Sequence, residues 1–350
     1  MFLSTPIFLF RPAQAQEYPE LNPPKVERER ETEYVARKEI KAETPSTEWT
    51  LHKTTDGLHP DGNEQAFMWF MNRARNDPTA EGIWLATMDD PDVDAARDYF
   101  GVDLLVLQDE FADLEVKPPA AFDARLYDAA RQHSEYLISI DDQNHDGQFD
   151  RVDASGFVYW AARGNVFSYT KTSVHGHAAF NIDWGTSGDG SGMQDGRGHR
   201  AAIMAIDGDY TNVGIAAVPE TDPLTDVGPL VVTGNYCSAN TGIVDHFNRF
   251  IVGTVWQDMD GDSMYDPGEG IGGVTVTPDQ GTYYAVTGTA GGYAIPILSS
   301  GSYEVRLSGS GIPSGLSETI SVGEESVLLD FQALSEKPAM PFIPLLLLDD

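Results

Sequence analysis

The chain has one cysteine, Cys237, so no disulfide can form within it. An exported chain without disulfides must rely on buried apolar surface and, where present, bound metal. Basic residues are also scarce: 22 Lys and Arg stand against 55 Asp and Glu, a formal net charge of -33. Nucleic acid and anionic lipid both require a basic face, so neither is an expected partner. The acidity suits a divalent-cation binder, a salt-adapted surface, or both. Long apolar runs are missing, and nothing approaches the roughly 20 residues of a membrane helix. Pro341–Leu348 is apolar but too short, and it ends in Asp349-Asp350. No Gly-x-Ser-x-Gly marks a serine nucleophile.

What is present divides the 350 residues into segments, enough for two domains with real cores. Phe2–Phe10 is mostly apolar and Ala13-Gln14-Ala15 fits small-x-small cleavage, so residues 1–15 read as the remnant of an export signal whose basic start is lacking. Residues 16–60 are rich in Glu, Lys, Pro and Thr and are expected to be a disordered linker. From Asn63, a helix cap in this reading, Phe67, Phe70, Met71 and Ala74 fall on one helical face. Residues 79–117 suggest helical pieces of an insertion. Leu126, Ala130, His133 and Leu137 form a second helical stripe, and helices are expected near 173–184 and 198–204. Strands follow at 213–218 and 229–235. The mixture predicts an α+β fold. From Arg249, short β-branched runs alternate with Gly-rich turns, as in a small all-β sandwich. The tail begins at residue 334.

The most specific chemistry lies at 258–269. Asp258, Asp260, Asp262, Asp266 and Glu269 occupy loop positions 1, 3, 5, 9 and 12, with the backbone carbonyl of Met264 at position 7. Ca²⁺ takes six to eight hard oxygen ligands, and this spacing supplies them from one short loop. Strands rather than helices flank it, and its glycine is at position 4, so it is not an EF-hand. A weaker calcium candidate comprises Asp142, Asn144, Asp146, Asp150 and Asp153. Cys237 reads as a small buried hydrophobe.

Several segments resemble the CAP superfamily (cysteine-rich secretory, antigen 5 and pathogenesis-related proteins; the SCP domain). They are Phe67–Arg75; Leu126–Leu137; Asn144-His145 with Phe149-Asp150-Arg151; Gly164-Asn165-Val166; and Gly198–Met204 followed by Val213-Gly214-Ile215. The resemblance implies an α-β-α sandwich over 61–247 with a cleft built on His145 and His199, a possible site for Zn²⁺ or a similar metal. Asp183 is the candidate for a cleft carboxylate. The usual glutamate is replaced by Arg163 or Gly164, which weakens a general-base mechanism. His177 could face the cleft; with His175 it otherwise reads as a helix-start pair. Residues 248–333 resemble the Sdr and Cna B-like repeats of bacterial surface proteins, through Gly253–Trp256, the acidic loop, Gly270–Val276 and the Gly292-Tyr293 and Gly301–Tyr303 strands. An internal Lys–Asn crosslink is ruled out, since no lysine lies between Lys171 and Lys337.

Together these features imply a secreted or surface-attached monomer. Its cleft would bind an extracellular ligand or divalent metal, and its β-domain would be stiffened by calcium for display or adhesion. The alternative is a metal-dependent hydrolase using His145 and His199.

Overall fold

The computed structural model describes residues 44–309, 312 and 315–333. The expected export remnant, the start of the linker and the tail lie outside them. The rest of the expected linker is corrected, because residues 44–60 belong to the fold. Strand β1 (Thr47–Glu48) pairs in parallel with Tyr283–Tyr284. Trp49 is buried, edge-on to Phe247 and Tyr283 at 5.3 and 5.5 Å between ring centroids. A single buried Trp can anchor a polar segment whose composition reads as disordered.

Helix α1 (Gly62–Asn76) is capped by Asp61 rather than Asn63. Asp61 accepts from the Glu64 N–H while Glu64 reaches back to the Asp61 N–H, a reciprocal arrangement that satisfies two end donors. The insertion folds as α2 (Pro78–Thr87), α3 (Pro91–Phe100) and α4 (Leu104–Ala112), each started by an aspartate cap. There follow β2 (Ala121–Phe122), α5 (Ala124–Ile140), α6 (Gln148–Ala154), β3 (Tyr159–Thr170), α7 (Ser173–Ile182), α8 (Gly198–Ile203), β4 (Asn212–Pro219) and β5 (Leu230–Ala239). The sheet order is β2-β4-β5-β3. One face packs on α5 and α6 through Leu126, Ala129, Val152 and the buried Cys237. The other face meets α1, α7 and α8 through Phe67, Met71, Ile182, Ile203 and Ile215. The lobe is therefore a three-layer α-β-α sandwich, and the chain as a whole is α+β. Gly214 of β4 is required by this packing: a Cβ there would stand 2.1 Å from the Tyr127 backbone nitrogen of α5.

The second lobe contains β6 (Phe250–Gln257), β7 (Thr275–Pro278), β8 (Tyr283–Val286), β9 (Gly292–Pro296), β10 (Gly301–Ser308), β11 (Ser317–Val322), β12 (Val327–Leu328) and β13 (Phe331–Ala333). One sheet runs β1-β8-β7-β10-β11; the other runs β12-β6-β13 with β9 also on β6. In β10, Tyr303, Val305 and Leu307 face inward and alternate with exposed or half-buried residues, the period of a strand covered on one face.

The lobes share a packed joint. Trp69 and Phe70 of α1 meet Trp256 and Tyr265 of the β-lobe, with the Trp69 and Trp256 rings 5.9 Å apart. Gln65 donates to Thr254 Oγ1 at 2.9 Å, and a Cβ on Gly292 would lie 2.0 Å from Gln65 Oε1. A small cavity of about 20 Å³ sits in this joint, lined among others by His52, Trp69, Thr254 and Asp330.

Candidate functional site

The cleft pair forms where α7 ends. Asp183 adopts a left-handed conformation at φ 56°, which turns its carboxylate toward the start of α8. Oδ2 accepts from the His199 backbone N–H at 3.0 Å, and Oδ1 lies 2.7 Å from His199 Nδ1. Asp183 is 1% exposed, while the His199 side chain is 25% exposed. A carboxylate on Nδ1 fixes the proton there and leaves Nε2 as the free lone pair, the arrangement used both by bases and by metal ligands. Asn165 Nδ2 donates to the His199 carbonyl at 3.0 Å and holds the loop to β3.

His199 borders a cavity of about 150 Å³ lined by Phe100, Gln143, Val166, Phe167, Ala179, Phe180, Trp184 and Gln194. Gln143 Oε1 accepts from the Ser168 N–H at 2.7 Å. Gln194 Nε2 donates to the Trp184 carbonyl at 3.3 Å. The α3 insertion supplies Phe100 to the rim. Nearby, Arg197 and Arg200 are both held by Glu110. Sequence reasoning singled out neither Gln143, Gln194, Phe100 nor Trp184 as site residues. They carry no spacing of their own and meet only through the fold.

His145 is exposed and does not line this cavity; its Nδ1 is bonded to Gln148 Oε1 at 2.7 Å. Gln148 is buried, donates to Asn235 Oδ1, and covers Gly164 so closely that a Cβ there would meet its Nε2 at 2.5 Å. A neutral amide thus fills the space next to the position where the resemblance implies glutamate. Arg163 is turned to an ion pair with Asp207. His133 donates its Nε2–H to the Asn144 carbonyl at 3.0 Å, and burial lowers its pKa to about 4. Among the described residues, His145 and His199 do not belong to a group of three metal-ligating atoms within 4.8 Å. His199 borders the cavity and His145 does not. His177 does not face the cleft either: it is fully buried, 2.8 Å from Glu81, which also pairs with Arg73.

The loop at 258–269 brings Asp258, Asp260 and Asp262 together with ligand oxygens within 4.8 Å. Asp258 accepts from the Gly261 and Ser263 N–H groups, and Asp262 from Met264. Glu269 is buried and closes the loop, accepting from Met259 and Asp266 N–H at 2.7 and 2.9 Å. Burial, then the charges of Asp262, Glu269, Asp260 and Asp258, push the Asp266 carboxyl above its usual range. The loop lies against the α-β-α lobe. Met264 Sδ contacts Arg73, whose guanidinium stands 4.2 Å from the Trp84 ring, and Pro267 packs on Gly62.

The weaker candidate at 142–153 is partly helical. Asp150 and Asp153 are wound into α6, and Asp153 accepts from Tyr159 Oη. Asp142, Asp146, Asp150 and Asp153 do not form a three-carboxylate group. One group was not foreseen: His59, Asp61 and Glu64, whose hydrogen bonds form the cap of α1.

No family model matches the chain, and no curated protein matches it. The chain is similar to a solved structure, an extracellular protein containing a SCP domain from Bacillus anthracis str. Ames, at 17% identity and a TM-score of 0.26. The alignment covers 43% of this chain and 44% of that one, so the chain spans less than half the length of the protein it matches. Among the described residues, no helix is long and apolar enough to cross a membrane.

Proposed function

We propose that this is an exported CAP-like protein whose α-β-α lobe binds a small ligand in the cavity beside His199. The β-lobe, its loop at 258–269 loaded with Ca²⁺, holds that lobe in a fixed orientation for display. The observation that carries the binding reading is the buried Asp183 behind His199 at the edge of an aromatic-lined cavity. The export reading rests on the sequence of residues 1–15.

Binding is favoured over hydrolysis by the lining of the cavity. His199 Nε2 could serve as a base, but the residues beside it are amides and apolar groups, and a second carboxylate does not line the space. Gln148, next to Gly164, is neutral and cannot take a proton. The hydrolase reading keeps one test: turnover of a peptide or phosphodiester that disappears in His199→Ala.

Calcium is supported by the loop itself. Three clustered carboxylates, with two more at Asp266 and Glu269, repel one another in the absence of a cation. A cation bound to the folded state raises stability by mass action. Melting with Ca²⁺ against chelator is expected to show a higher melting temperature in Ca²⁺. Asp258→Ala/Asp262→Ala should abolish the shift, and Asp142→Ala/Asp146→Ala should leave it intact. Equal melting in both conditions sinks the calcium assignment.

A further inference from the structure

We propose that the cavity beside His199 takes a neutral, hydroxyl-bearing ring of the sugar class. The inference rests on the reading of this cavity as a binding site and goes beyond it by naming the ligand chemistry.

The hydrogen-bonding groups decide the class. Gln143 commits its oxygen to the Ser168 N–H, so its Nε2 remains a donor. Gln194 commits its nitrogen to the Trp184 carbonyl, so its Oε1 remains an acceptor. His199 commits Nδ1 to Asp183, so Nε2 is a second acceptor. The residues lining the cavity therefore carry one uncommitted donor and two uncommitted acceptors. Hydroxyls both donate and accept, and they can satisfy all three at once. A carboxylate or phosphate has no donor for the two acceptors, and it would sit near the Asp183 charge with no Lys or Arg in the lining. A purely apolar ligand would bury the three groups unpaired, which is costly. An ammonium would suit the acceptors but face the Gln143 donor.

The apolar part of the lining agrees. Phe167, Phe180 and Trp184 offer flat hydrophobic surface against which the C–H face of a sugar ring can pack. At about 150 Å³ the space is on the scale of one such ring. Phe100 is 37% exposed at the rim and stands edge-on to Tyr99, itself 82% exposed, at 4.9 Å. These two would receive a second unit of a longer chain.

The test uses the full chain with D-glucose, D-galactose, N-acetyl-D-glucosamine, D-glucuronate and n-butylamine as probes. Binding is followed by saturation-transfer NMR and tryptophan fluorescence. At least one neutral sugar is expected to bind, with glucuronate weaker by about tenfold or more, the scale of one misplaced charged hydrogen bond. Gln194→Ala, an exposed position, should weaken that sugar several-fold, while Trp160→Ala, outside the cavity, should not. The proposal is overturned if no neutral sugar binds, if glucuronate or butylamine binds more tightly, or if Gln194→Ala leaves sugar affinity unchanged. Butylamine binding that His199→Ala removes, without sugar binding, would overturn the sugar class and keep the cavity reading. Silence from every probe would remove support from both.

Discussion

Asp183 shows how much one residue can hold. Its left-handed backbone ends α7, and its carboxylate starts α8 and fixes the His199 ring. Asparagine tolerates this conformation and keeps one acceptor, glycine tolerates it without any side chain, and alanine does neither. Melting temperatures are expected in the order wild type, Asp183→Asn, Asp183→Gly, Asp183→Ala. The alanine variant should lose about 2–3 kcal/mol through two lost hydrogen bonds and backbone strain, read by urea denaturation. An alanine variant as stable as the asparagine one would remove this account. His199 and Asp183 were legible as candidates in the sequence. Gln143 and Gln194 were not, because a glutamine acquires a directed donor or acceptor only when a particular backbone group takes its other end.

At the scale of elements, local pattern and tertiary context divide the outcome. The stripes of α1 and α5 were legible because a 3.6-residue period is fixed by the chain alone. The acidic loop was legible for the same reason: its carboxylates all lie within twelve residues. The similar spacing at 142–153 differs in that Asp150 and Asp153 belong to α6. The linker reading failed at β1, where Trp49 is buried among residues far along the sequence. Trp49→Ala is expected to cost about 3–5 kcal/mol, as for a buried aromatic. A change below about 0.5 kcal/mol, typical of a solvated surface, would restore the linker.

At the scale of the whole molecule, the joint is the main finding. Trp69, Trp256 and Tyr265 are buried there, and each removes roughly 150–250 Å² from water. The acidic loop belongs to this joint through Met264 and Pro267, so calcium would act on the orientation of the lobes as well as on the β-lobe itself. The joint also holds two titratable groups. Burial pushes Asp330 up to about 6 and lowers His52 to about 4. A carboxyl raised on folding contributes stability below its unfolded pKa, and the contribution is lost as pH rises through about 6. Asp330→Asn keeps the acceptor for the Thr254 N–H and stays neutral. It should be more stable than wild type by about 3 kcal/mol at pH 8 and nearly equal to it at pH 4, measured by thermal melts across pH. A constant difference across that range would exclude the ionisation of Asp330 as the cause.

The sequence by itself determined the α+β class, the helical faces, the acidic loop and the lack of any disulfide. These follow from spacing, composition and a count, which need no partner in space. Only the tertiary structure decided that His199 faces amides rather than His145, that residues 44–60 belong to the fold, and that the acidic loop sits between lobes. Each of those depends on contacts between residues many positions apart, and no local pattern encodes which distant surface a side chain will meet.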